Sequence, residues 1–142
     1  KANSDTDGRI INSMVDDYTA KHINTIAFAS MGQLNYLSAL QFVDAVVGNS
    51  SSGLLETPSF KIGTIDIGDR QKGRIKADSV ISCLPDKKNI DNALKKIYSR
   101  HFQEIVKNVK NPYGKGGASK IILDIIKDFN LDNIIKKTFY DL

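Results

Sequence analysis

The stretch Asp44-Ala-Val-Val-Gly-Asn-Ser-Ser-Ser-Gly-Leu-Leu-Glu-Thr-Pro-Ser-Phe60 decides how the rest of this 142-residue chain is read. Ala45–Val47 is a short apolar run that stops at Gly48-Asn49, the pattern of a buried strand in a parallel sheet. Three serines and Gly53 follow, then Leu54-Leu55 with Glu56 beside them. The order is strand, polar turn, helix. In open α/β sheets, ligands occupy the crevice beyond the carboxyl ends of the strands. A helix starting at Ser50–Ser52 aims unpaired N–H groups and the positive end of its dipole into that crevice, which suits a phosphate. The hydroxyls of Ser50 and Ser51 add donors, and Gly53 is expected to let a ligand approach with no side chain in its way.

Three stricter motifs fail on the same residues. A Walker loop needs Lys-Ser or Lys-Thr after its second glycine, and Gly53 is followed by Leu54-Leu55. A nucleophile elbow needs glycines two residues either side of its serine; around Ser50 these positions are Gly48 and Ser52. No dinucleotide fingerprint is present. The residues alone leave two readings open, an anion site and a helix whose serines simply cap it.

Outward from this stretch, helices alternate with strands. Asn3–Gly8 reads as a turn and helix start, and Ile10, Ile11, Met14, Val15 and Tyr18 share one face of a helix ending near Lys21. Thr25–Ala29 is a short strand candidate. Ser30-Met31-Gly32 turns the chain into a helix with Leu34, Leu37, Leu40 and Val43 inward. Gly63–Ile67 and Asp78–Cys83 read as further strands. Pro85-Asp86 opens a helix with Ile90, Ala93, Leu94 and Ile97 on one stripe, and Phe102, Ile105, Val106 and Val109 extend the helical pattern until Asn111-Pro112 stops it. A turn with Gly114, Gly116 and Gly117 precedes a helix bearing Ile121, Ile122, Ile125, Ile126 and Phe129, and the tail has a weaker pattern at Ile134, Ile135 and Phe139. Such alternation implies an α/β fold, a parallel sheet covered on both faces in a Rossmann-like three-layer arrangement. Because the chain opens on a turn, a strand and helix of the same domain are expected before Lys1, completing the sheet edge.

Composition sets the bounds. At 41% hydrophobic and 25% charged, residues 1–142 fit one ordinary globular domain. No apolar run reaches the roughly 18 residues of a membrane span. The formal charge of +4 is mild, and without basic and aromatic patterning it does not argue for nucleic acid. Cys83 is the single cysteine, which excludes an internal disulfide and fits a reducing cytosol. It reads as a packed strand end. His22 and His101 have no spaced partner, Asp16-Asp17 is a solvated helix face, and no metal site is expected.

Val47-Gly-Asn-Ser-Ser-Ser-Gly-Leu-Leu-Glu-x-Pro-Ser-Phe60 and Gly63-Thr-Ile-Asp-Ile-Gly-Asp-Arg-Gln-Lys-Gly-Arg74 together resemble the hydrolysing UDP-N-acetylglucosamine 2-epimerases of bacterial sialic acid synthesis. Asn3-Ser-Asp-Thr-Asp-Gly8 and Asn111-Pro-Tyr-Gly-Lys-Gly-Gly-Ala-Ser119 fit the same family in the same order. The resemblance implies a two-domain enzyme of GT-B arrangement, of which residues 1–142 are most of the second, UDP-binding domain. The missing N-terminal domain would be a partner, would carry much of the acid–base chemistry, and would hold the family's histidine. No cofactor is implied, and a cytoplasmic localisation and a homo-oligomer are expected.

By resemblance, Ser50 and Ser51 hold the diphosphate, Glu56 binds the ribose hydroxyls, and Arg70 stands beside the nucleotide. Asn3 and the turn Met31-Gly32 lie near the uridine, and Gly53 belongs to the same substrate-binding set. Lys61, Lys72, Arg74 and Lys76 read as a solvated face. The implied reaction eliminates UDP from UDP-GlcNAc and then hydrates the intermediate to N-acetylmannosamine, with no catalytic residue in this half. The alternatives are a 2-epimerase for another UDP-sugar on the legionaminic acid route, a non-hydrolysing epimerase, and a nucleotide-sugar sensor without chemistry. The isolated chain is expected to be inactive.

Overall fold

Thr64, Ile65 and Ile67 are β-branched residues that suit a pleated surface. They lie in the central strand of a parallel sheet in the computed structural model, which describes residues 8–132 and 135. The strands are β1 (Ala45–Gly48), β2 (Gly63–Ile67) and β3 (Val80–Cys83), in the order β1-β2-β3. Ala45 pairs with Gly63 and Gly48 with Asp66, while Thr64 pairs with Val80 and Ile67 with Cys83. The described helices are α1 (Gly8–Lys21), α2 (Gly32–Ala39), α3 (Ser52–Leu55), α4 (Lys87–Ile97), α5 (Arg100–Asn108) and α6 (Ala118–Asp128). Short 3₁₀ turns follow α2 at Leu40–Phe42 and α3 at Thr57–Phe60.

One face of β2 builds the core. Ile65 and Ile81 pack with Ala93 and Ile97 of α4 and with Phe102 and Val106 of α5. Each helix starts on its own cap: the Asp86 carboxylate accepts the Asn89 N–H at 2.9 Å, and the Ser99 hydroxyl accepts that of Phe102 at 3.3 Å. That second cap divides what the sequence suggests as one helical run, and the bend lets both Ile97 and Phe102 face the sheet. Gly63 is required beneath them, since a β-carbon there would meet Ile97 Cδ1 at 2.9 Å.

The other face of β2 carries α3. Leu54, Thr57 and Pro58 are buried, and Gly53 packs so closely that a β-carbon on it would lie 2.6 Å from Thr64 Cγ2. The Thr57 hydroxyl donates to the Gly53 carbonyl at 2.6 Å and, with that proton used, accepts from the Thr64 hydroxyl at 2.7 Å. Helices on both sides of a parallel sheet make the fold Rossmann-like, as the alternating pattern implies.

Several expectations change. Thr25–Ala29 forms no ladder among the described residues: Ile26 is 76% exposed, and the segment lines a hollow. Among the described residues β1 therefore lies at the edge of the sheet, with Val47 half exposed. The third strand is shorter than Asp78–Cys83, because Asp78-Ser79 form a turn closed by the Val80 N–H to the Ala77 carbonyl at 3.0 Å. α2 stops at Ala39, so Leu40 is buried but Leu34 and Val43 are exposed. α1 and α6 are helical where the periodicity places them, yet Ile10, Ile11, Met14 and Tyr18 of α1 and the stripe from Ile121 to Phe129 are exposed, with Val15 half-buried. The tail positions Ile134 and Phe139 lie outside the described residues.

Candidate functional site

The turn after β1 is built by its serines. The Ser50 carbonyl accepts the Gly53 N–H at 3.2 Å, and the Ser51 carbonyl accepts those of Leu54 and Leu55 at 3.0 and 2.9 Å. The Ser50 hydroxyl takes the Ser52 N–H at a long 3.4 Å. Ser51 stands at the N-cap of α3 with helical backbone angles and makes no side-chain capping bond. Capping therefore uses Ser50 weakly and leaves the Ser51 hydroxyl available. The Ser52 hydroxyl is hydrogen-bonded to the Tyr36 hydroxyl of α2, which ties the turn to the next layer.

A hollow of about 900 Å³ opens beside this turn. Ser50, Ser52 and Glu56 line it from one side, Met31, Gly32 and Tyr36 from α2 and its entry, and Ile26–Ser30 from the segment between α1 and α2. Gly32 has φ +68°, a left-handed conformation that glycine adopts without strain, and its N–H bonds the Ser30 hydroxyl at 3.2 Å. The volume is that of a site for a nucleotide-sized ligand. Its lining combines one carboxylate, several hydroxyls, the aromatic rings of Phe28 and Tyr36, and the apolar Ile26 and Met31.

Against the same strand ends lies the connection from β2 to β3. Parallel strands need a crossover of roughly a dozen residues, usually a helix. Here residues 68–79 cross without one, and side chains replace the missing helical ladder. Lys76 donates to Asp66 Oδ2 and to the Ser82 hydroxyl, both at 2.7 Å. The Tyr113 hydroxyl donates to the Ile75 carbonyl at 2.9 Å. Gln71, only 3% exposed, donates its amide N–H to the Asn49 carbonyl at 2.8 Å. That bond joins the residue before Ser50 to the residue after Arg70. Arg70 itself is exposed, and no ion pair engages it among the described residues.

Ser50, Glu56, Met31 and Gly32 thus meet around one hollow. Arg70 and Ser51 do not line it, but stand at the two loops that Gln71 joins. Gly53 is buried, and the space its missing side chain leaves faces Thr64, so it serves packing on β2 rather than ligand approach. Asn3 lies outside the described residues. Of the cations read as a solvated face, Lys76 is instead half-buried against Asp66, and the Lys61 ammonium bonds the Val109 carbonyl.

Asp66, Gln71 and Tyr36 are the residues that sequence reasoning passes over. A signal existed for the first: an aspartate inside Gly63–Ile67 sits in an apolar strand, where a buried charge demands a partner. Asp66 is 1% exposed, and its Oδ1 has no hydrogen-bond partner among the described residues. Burial, with Asp86 and Asp66 nearby, pushes the Cys83 thiol up, as befits a strand-end cysteine rather than a nucleophile. His22 stacks on Tyr18 at the end of α1 with its Nδ1 2.7 Å from the Tyr18 carbonyl, and His101 is on the exposed face of α5.

Comparison with known proteins bears on this geometry. Residues 1–127 match the family described as UDP-N-acetylglucosamine 2-epimerase. A GDP/UDP-N,N'-diacetylbacillosamine 2-epimerase (hydrolyzing) of Campylobacter jejuni is 41% identical over 100% of this chain and 37% of its own length. A polysialic acid biosynthesis protein of Escherichia coli is 38% identical over 99% of this chain and 36% of its own. A UDP-N-acetylglucosamine 2-epimerase of Neisseria meningitidis is 36% identical over 52% of this chain. The chain spans a little over a third of the first two relatives.

Proposed function

We infer, because the chain belongs to the UDP-N-acetylglucosamine 2-epimerase family, that it is the UDP-holding part of a hydrolysing 2-epimerase of GT-B arrangement. The observation that carries this reading is the hollow at the end of β1, where Ser50, Ser52, Glu56 and Met31-Gly32 converge. Glu56 is the acceptor for the ribose hydroxyls, and Met31-Gly32 border the base. Ser50, Ser51 and the Arg70 guanidinium are donors to the diphosphate.

Their chemistry fits an elimination. A base outside this chain takes the proton from C2 of UDP-GlcNAc, the C1–O bond breaks with its electrons going to UDP, and a C1–C2 double bond forms. Water then adds, hydroxyl to C1 and hydrogen to C2 with inversion, giving N-acetylmannosamine. Negative charge grows on the departing diphosphate, and preorganised donors stabilise it there. A guanidinium suits phosphate by both geometry and charge.

The likeness to the Campylobacter relative favours a second reading, the same reaction on a UDP-diacetamido sugar. The two share every group named here, since these groups address the UDP. The test offers the intact protein each sugar in turn and follows free product by NMR. Ser51→Ala and Arg70→Ala should each weaken UDP binding and turnover together, by about tenfold to a hundredfold for a lost charge-assisted hydrogen bond. Unaltered UDP affinity in both variants refutes the reading.

A further inference from the structure

We propose that Gln71 is a positioning residue that presents Arg70 to the diphosphate by holding the helix-free crossover against the strand-end turn. The inference rests on the reading of the site given above. A crossover without a helix has no internal ladder to fix its shape, so its placement depends on side chains that reach elsewhere. Lys76 and Tyr113 hold its returning limb, at residues 75 and 76. Its leading limb, which bears Arg70, has one long-range side-chain bond among the described residues: Gln71 to the Asn49 carbonyl, across 22 positions of sequence. In the backbone, the Gly68 N–H to the Cys83 carbonyl at 2.9 Å fixes where the limb leaves β2, while the Arg74 N–H to the Gln71 carbonyl and the Lys72 N–H to the Asp69 carbonyl close only local turns.

Gln71 is poorly suited to a purely stabilising role. Its side chain is buried, but its Oε1 has no hydrogen-bond partner among the described residues, and an orphaned buried acceptor costs stability. A methionine of similar length would lose the bond to Asn49 and remove the orphan at the same time. The two effects oppose each other in stability and do not oppose each other in placement. Arg70 has no ion pair among the described residues to hold it, so a slack leading limb leaves its guanidinium unplaced.

The test is a double-mutant cycle on the intact protein with UDP as the probe. Gln71→Met should raise the dissociation constant about tenfold in the Arg70 background, but less than about twofold when Arg70 is already alanine. Its melting temperature should stay within about 2 °C of the parent. In phosphorus NMR, the β-phosphate resonance of bound UDP should move towards its position in Arg70→Ala. Should Gln71→Met not fold, Gln71→Asn, whose amide is too short to reach Asn49, is read in the same way. Unchanged affinity in a protein that binds UDP overturns the proposal alone, as does an equal loss in both backgrounds. A parent protein without UDP affinity overturns the functional reading and this proposal with it.

Discussion

Gly53→Ala separates the two roles that a glycine at this turn could have. The added β-carbon would lie 2.6 Å from Thr64 Cγ2, where ordinary contact begins at 3.4 Å. Thr64 cannot rotate away freely, because its hydroxyl is bonded to Thr57, which in turn donates to the Gly53 carbonyl. Overpacking of this kind costs about 1–3 kcal/mol. Alanine recovers about 0.5–1 kcal/mol of helix propensity, so the net loss is about 0.5–2 kcal/mol, centred on ~1 kcal/mol. With a urea slope of about 2 kcal/mol/M, the midpoint should fall by about 0.25–1 M. Thr64→Ser removes the clashing methyl and keeps the hydroxyl, at a cost of about 1 kcal/mol as a single change. The double variant should then be no less stable than Thr64→Ser alone. UDP affinity should follow stability, not the bulk at position 53. A stable Gly53→Ala that loses UDP, or a double variant as poor as the sum of its parts, refutes the packing argument.

Two further outcomes follow from the ion pair and the helix cap. Lys76→Met removes the partner of a carboxylate that is 1% exposed, and should cost roughly 3 kcal/mol, the lower end for breaking a buried pair since Lys76 keeps some water; adding Asp66→Asn should restore most of it in urea unfolding. The Asn89 backbone N–H and side chain hold the Asp86 carboxyl below the usual carboxylate range. Its cap therefore supports α4 in full above the ordinary aspartate pKa of about 4, and the support is lost as pH falls through the lowered value. Asp86→Ala should lower the urea midpoint at neutral pH, and its effect should shrink as the pH falls below the ordinary aspartate pKa, which unfolding across that range measures directly.

What could be read from the sequence was whatever depends on neighbours in the chain. Gly63–Ile67 is a strand with the bounds its β-branched residues suggest, and Asp86 and Ser99 cap helices as short polar residues do. The serine turn is legible because strand, turn and helix are consecutive. Periodicity located α1 and α6 but not their burial, since a stripe of Ile121, Ile125 and Phe129 records that a helix has an apolar face, not what meets it. Thr25–Ala29 has the composition of a strand, but a strand exists only in a pair. The bonds Gln71 to Asn49 and Lys76 to Asp66 join residues whose spacing has no period, and only the folded crossover brings them together.

The crossover between β2 and β3 has a consequence for how such a protein can change over evolutionary time. A helix in that place would bind every residue to its neighbours, so that altering one surface position would disturb a whole turn. A span anchored at Gln71, Ile75 and Lys76 leaves the exposed side chains of Asp69 and Lys72 as interchangeable words between fixed punctuation. Exposed positions of this loop can drift by point substitution while the sheet below keeps its register.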